Sequence, residues 1–210
     1  MTVCRRLTIG LFGLALLGLA ACSPQIDLIR SGPAPRLFEI TAPDGGAVSG
    51  GRLGAALFVA APTTGGALDS ERIAIRLSDN EMSYLRGARW SSRLPAMLGR
   101  AVFAGLEDAA PTAGLFDSPG AAAADYTLDL DIRHFEAITD SAGGPAVRVR
   151  VSLRARLTGR GAAAKVVATT LSATGKAPSA SAADVVPALD ATFHKAFADL
   201  LRWLTSQTGS

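Results

Sequence analysis

Residues 125–136 read DYTLDLDIRHFE and residues 147–157 read VRVRVSLRARL, and these two stretches decide the fold. In the first, Tyr126, Leu128, Leu130 and Ile132 are apolar at even positions, while Asp125, Thr127, Asp129, Asp131 and Arg133 take the odd ones. In the second, Val147, Val149, Val151, Leu153, Ala155 and Leu157 alternate with Arg148, Arg150, Arg154 and Arg156. Side chains of a strand point alternately to its two faces, so both stretches are strands with one dry and one wet side. The Gly-containing segment at 140–144 turns the chain back into an antiparallel hairpin. Pairing Asp131 with Arg154 and Asp129 with Arg156 keeps the apolar sides together. It also sets opposite charges across the ladder, each pair contributing about 0.2–1 kcal/mol. His134 continues the apolar phase of its strand.

Outward from the hairpin, residues 166–173 supply a third strand of the meander. Upstream, 53–60 (LGAALFVA) is a short apolar run closed by Pro62 and Gly65-Gly66, and reads as a buried strand. Residues 72–77 and 81–85 are half-apolar strands joined by a tight turn at Asp79-Asn80. Ser92 is placed to cap a helix with Pro95 in its first turn, and Leu94, Leu98, Ala101, Val102 and Leu106 give that helix one buried face. From 184 to 204, Val186, Leu189, Phe193, Phe197, Leu200 and Leu204 recur every three or four residues, with Trp203 at the edge of the stripe. Asp184 is the candidate cap of this second helix, with Pro187 in its first turn. The predicted architecture is a single α+β domain: a largely antiparallel sheet with two amphipathic helices packed on one face.

The N-terminus carries a different message. Arg5 and Arg6 precede an uncharged apolar stretch at 7–19, shorter than the ~20 residues a membrane-spanning helix needs, and Leu19-Ala20-Ala21-Cys22 follows. This layout reads as an export signal over residues 1–21. The cysteine after Leu-Ala-Ala resembles a lipobox, which makes Cys22 the expected lipidation site; the alternative is a plain secretory signal cleaved near Ala21. Acyl chains bury about 0.8 kcal/mol per CH₂, so two or three of them anchor a protein firmly. Ser23, next to Cys22, resembles the sorting pattern of lipoproteins of the outer membrane, inner leaflet, facing the periplasm; the periplasmic leaflet of the inner membrane is the alternative. Residues 22–36, rich in Pro, Gly and Ser, read as a flexible tether, and 37–210 as the periplasmic domain.

Composition excludes several classes of function. The formal charge of +3 includes Arg5 and Arg6, and losing them leaves 19 bases against 18 acids, so the expectation is no nucleic acid among the partners. Cys4 leaves with the signal and Cys22 is consumed by lipid, so no disulfide framework, redox pair or thiolate metal site is expected. The chain has no GxSxG, HExxH or GxxxxGK[ST] motif, and neither cofactor nor metal is expected. His194 lies four residues from Asp190, a spacing that reads as a surface contact on one helix rather than a catalytic dyad. The arginine row of Arg148, Arg150, Arg154 and Arg156 reads as the solvated side of a hairpin neutralised by aspartates. Its functional reading is a contact for an acidic partner or lipid headgroups, since guanidinium forks fit such groups. Trp90 is likewise a core residue or, in its functional reading, an interface anchor.

Taken in order, these residues resemble the ABC-type transport auxiliary lipoproteins, which include the lipoprotein component of paraquat-inducible MCE transport systems. The resemblance runs from Leu37 to Leu204. It includes LFEI, LFVAAP, LDSERIAIRLSDNEMSYLRGARW with Asp69, Arg72, Tyr84 and Trp90, and the strand ending His134-Phe135-Glu136. Arg89-Trp90-Ser91 departs from members that have alanine after the tryptophan, and Leu37-Phe38 from those with a tyrosine-rich start. The resemblance implies a non-enzymatic accessory subunit, anchored in the membrane by N-terminal acyl chains. Its implied partners are an MCE-domain protein and an ABC permease and ATPase that move phospholipid or other hydrophobic substrates between membranes. A homo-oligomer is compatible with that role. Two other readings belong to different classes: a structural lipoprotein of envelope assembly, and an envelope lipid or glycan hydrolase using Glu107, Asp108, Asp129 or Asp131.

Overall fold

The computed structural model describes residues 34–44, 53–109, 114–118, 124–139, 147–161 and 164–209. The export signal, Cys22, most of the tether and the 140–146 turn lie outside the described residues. The described chain is an α+β domain built on one nine-stranded sheet. In chain order its elements are β1 (Arg36–Phe38), β2 (Leu57–Val59), β3 (Thr63–Thr64), β4 (Arg72–Ser78), β5 (Glu81–Trp90) and α1 (Leu94–Ala109). Then follow β6 (Leu115–Phe116), β7 (Tyr126–Thr139), β8 (Val147–Gly159), β9 (Val166–Ala177) and α2 (Ala182–Thr208).

The long ladders are antiparallel: β4 with β5, β7 with β8, and β8 with β9. The expected register holds, since Asp129 is opposite Arg156 and Asp131 opposite Arg154. The second edge of β7 is shared in series by three short parallel partners: β2 at Tyr126–Leu128, β3 at Asp131–Ile132 and β4 at Ala137–Ile138. The 53–60 run forms a strand only over β2. Before it the Asp125 carboxylate accepts from the Ala56 amide at 2.9 Å, occupying a donor that a longer strand would spend on its neighbour.

The inner face of the sheet and α2 enclose the core. Val185, Leu189, Phe193, Ala196, Phe197, Leu200 and Leu204 are buried along α2, opposite Val149, Val151, Leu153, Ala155 and Leu157 of β8. The helix α1 joins the same cluster through Leu94, Met97, Leu98, Val102 and Leu106, and at Gly105 it meets the ring of Phe197. Trp90 is 1% exposed and meets Phe135 edge-on, with centroids 5.9 Å apart; Phe135 in turn meets Phe193. The accessible-anchor reading of Trp90 is thereby corrected, because a wide apolar ring at the end of β5 is better satisfied by the core than by water.

Both helix starts differ from expectation. The first turn of α1 begins at Leu94, with the Leu94 amide donating to the Ser70 carbonyl at 3.1 Å. Ser92 does not cap it; its hydroxyl accepts from Arg100 Nη2 at 2.9 Å. In α2 the cap is Ser181, whose hydroxyl accepts from the Asp184 amide, and Asp184 stands in the first turn, where its negative charge suits the helix dipole. Pro187 therefore falls in the second turn, where its missing N–H leaves the Ala183 carbonyl without a helical donor.

The helix α2 crosses the sheet closely at Gly175. A Cβ there would collide with Thr192 Oγ1 and lie 3.0 Å from Val149 Cγ2. Gly175→Ala is expected to cost about 1–3 kcal/mol, the usual penalty of overpacking. Combining it with Thr192→Ala should recover part of the loss in denaturant unfolding. Strict additivity of the two changes would contradict this contact.

Candidate functional site

The outer face of the sheet holds the one fully buried carboxylate among the described residues, and a backbone irregularity puts it there. In β7 the register slips by one residue between Ile132 and His134, while β8 continues without a break. An extra residue in one strand reverses the facing of everything after it. Leu128, Leu130 and Ile132 are buried at even positions before the bulge, and Phe135 and Ala137 at odd positions after it. His134 therefore leaves the apolar phase it was expected to continue and joins Glu136 on the outer face.

Glu136 is 0% exposed and stands opposite Arg150 of β8, with β4 on its other side. Arg76 reaches it from β4 as a two-pronged fork: Nε donates to Oε1 at 3.0 Å and Nη2 to Oε2 at 3.1 Å. Arg76 Nη1 donates to the Asp79 carbonyl at 3.1 Å, which fixes the fork to the β4–β5 turn. From the other side Arg150 Nη2 donates to Oε1 at 2.6 Å, and His134 Nδ1 lies 3.1 Å from the same oxygen. Burial pushes the Glu136 carboxyl up, but the hydrogen bonds from Arg76 and Arg150 outweigh it and hold the group below its ordinary range. Arg76 is correspondingly raised by its bonds to Glu136. The clamp ties β4, β7 and β8 together and leaves one more guanidinium than carboxylate.

Beside the clamp lies an open hollow of about 610 Å³ with a mixed polar and apolar lining. Its walls are the segment from Thr63 to Leu68, Arg76, Met82 and the β7 bulge. Further along the same face Arg154 and Arg156 are exposed and make no hydrogen bond or ion pair among the described residues. Asp131, opposite Arg154, pairs with Arg133 of its own strand at 2.7 Å, and Asp129 and Asp131 line a small hollow together with Arg154 and Arg156. Arg148 is exposed on the same row. The row is therefore basic, and of its four arginines Arg150 is the one committed to a buried acid.

The remaining candidates separate. Glu107 and Asp108 are exposed near the end of α1, whereas Asp129 and Asp131 lie on β7. His194 and Asp190 act on the chain itself. Asp190 accepts from the Thr41 amide at 2.8 Å and hydroxyl at 2.9 Å, and His194 Nε2 lies 3.2 Å from the Thr41 carbonyl, so the pair holds the segment after β1 against α2. No group of three or more metal-ligating side chains occurs among the described residues. Glu136 was the residue missed by the sequence reading. The signal for it was the reversal of phase at Phe135 and Ala137, which are apolar at odd positions after even ones.

The geometry defines an α+β domain with a helix-covered inner face and a charge-clamped, basic outer face. Residues 38–200 match the family described as the ABC-type transport auxiliary lipoprotein component, and the chain belongs to that family. No curated protein matches the chain. Among solved structures, a Xanthomonas campestris protein is 24% identical, with a TM-score of 0.67 over 83% of this chain and 94% of that one. A second, uncharacterised protein is 16% identical, with a TM-score of 0.63 over 81% of this chain and 99% of the other. These two likenesses share the fold.

Proposed function

We propose that the protein is a lipid-anchored, non-catalytic auxiliary subunit of an ABC/MCE-type transport system that moves phospholipid or other hydrophobic substrates between membranes. The observation that carries this reading is the family match over residues 38–200, which takes in both long hairpins and most of α2. Cys22 supplies the anchor, residues 22–36 the tether, and 37–210 the domain that reaches into the periplasm from the inner leaflet of the outer membrane. Among the described residues no helix is long and apolar enough to cross a membrane. The mainly apolar hollow between Pro62 and α1 holds about 340 Å³, at the small end of the ~300–1,000 Å³ of small-molecule sites. That favours docking over carriage of a two-chain lipid. The basic outer face, with Arg148, Arg150, Arg154 and Arg156, is the surface we assign to contact with acidic groups of the partner machinery.

The test is recovery of partners by the lipidated protein from its own envelope. An MCE-domain protein and an ABC permease are expected among the co-purified chains, and their consistent absence would overturn the assignment. The anchor is tested separately. Cys22→Ser should give an intact mass without fatty acid and loss of normally processed protein from the membrane fraction. If that variant is still processed correctly and stays with the membrane, the lipid anchor drops out of the proposal.

A further inference from the structure

We propose that the free edge of β9 takes an additional strand from a protein partner, and that this strand carries acidic residues at alternate positions. β9 pairs with β8 alone, and its other edge carries no strand among the described residues. It is 12 residues long, VVATTLSATGKA, with no proline, no acid and a single lysine near its end. Natural edges are usually blunted by charge, proline or shortness, because an unpaired row of N–H and C=O groups is a template for another strand. β9 lacks most of those guards, and Val166 stands 68% exposed on it.

The choice of partner follows from the row next door. On the outer face Arg156, Arg154 and Arg150 of β8 stand opposite Ala168, Thr170 and Thr174 of β9. These β9 side chains are short, so the exposed Arg154 and Arg156 have room to lean across them toward the open edge, while Arg150 stays on Glu136. A strand added to β9 lies two spacings from β8, about 9.6 Å. An arginine leaning out and a glutamate reaching back close that distance, and strand alternation puts every second residue on the correct face. The β9 edge of a second copy supplies no such acid, since β9 has none. Self-pairing would leave Arg154 and Arg156 unanswered.

This inference rests on the reading of the arginine row as an acid-contacting face, and not on the transport assignment. The test uses the full lipidated chain in neutral detergent with a 12-residue peptide of alternating Glu and Val, matched to the length of β9. Hydrogen exchange followed by mass spectrometry is expected to show binding that protects amides of residues 166–177. The exposed pair Arg154→Glu and Arg156→Glu should weaken that peptide about ten-fold and admit a Lys-Val peptide instead. A peptide of the same charges interrupted by prolines, which cannot form a ladder, tests the acidic contact alone. If it binds as well as the alternating peptide, or if β9 stays unprotected, strand addition is overturned while the acid-contacting face stands. If neither acidic peptide binds, both ideas fall. Protection that rises with protein concentration in the absence of peptide would assign the edge to a second copy, and protection by anionic vesicles alone would assign the face to lipid; either outcome overturns the proposal.

Discussion

Glu136→Ala lowers the stability of the domain by about 2–4 kcal/mol, because it leaves two half-buried guanidiniums without their counter-ion. The wild-type carboxylate receives hydrogen bonds from Arg76 and Arg150 at distances of 2.6–3.1 Å, at a position with 0% exposure. Removing it leaves Arg76 with only its bond to the Asp79 carbonyl, and Arg150 with an enclosed Nε that already has no partner. For a domain of this size the loss corresponds to a fall of roughly 10 °C in Tm. Replacing all three groups with apolar side chains, as in Glu136→Leu with Arg76→Met and Arg150→Met, should restore most of the stability, since buried ion pairs are often no better than well-packed hydrocarbon. Acid titration gives an independent check. The folded carboxyl titrates below the unfolded value of 4.5, so its stabilisation is complete well above that pH and disappears as pH falls through the lower folded value. Glu136→Gln removes that acid-side dependence from the denaturation midpoint. A Glu136→Ala protein within about 0.5 kcal/mol of wild type, as for an ordinary surface change, would refute the clamp.

The second large effect is expected at Phe193, the aromatic centre between sheet and helix. Its ring is 0% exposed and makes angled contacts with Phe135 of β7 at 6.4 Å and with Phe197 of α2 at 6.4 Å. Phe193→Ala removes the buried ring and leaves a cavity that two flanking aromatic side chains cannot fill without abandoning their own contacts. About 3–5 kcal/mol of stability is lost. The loss should be concentrated where α2 meets the sheet, so amide exchange in α2 is expected to accelerate more than in β7 and β8. Phe193→Leu, which keeps most of the volume, is expected to cost less than half as much. Equal losses for the two variants would show that the site is not packed in this way.

The paired strands could be read from sequence because their signal is local. Arg148 to Leu157 alternate without interruption, and the opposing charges of Asp129 and Asp131 fixed the register. The same rule failed at His134, where alternation was extended past the point at which Phe135 and Ala137 break it. A bulge is announced only by such a change of phase, and two residues are a short signal. The three parallel partners of β7 were beyond reach for another reason. β2, β3 and β4 are two to seven residues long, and their pairing depends on chain 60 or more positions away. Nothing in their own composition names that partner. The cap of α2 lies three positions before the expected one, and Ser92 bonds to Arg100 instead of capping α1, since both starts contain several residues able to accept from a backbone amide. The Glu136 clamp combines these failures: it needs the bulge to turn the carboxylate outward and the parallel β4 to bring Arg76 beside it.

The extra residue in β7 also decides which misfolded arrangement the chain avoids. Aligned straight against β8, the same strand would drive His134 and Glu136 into the oily interior and hang Phe135 in water. That arrangement strands an ionisable group in hydrocarbon and wastes an aromatic ring, so it competes poorly during assembly. One irregular peptide thus serves as a checkpoint: only the chain that kinks at Arg133 can finish the sheet and close the helix over it.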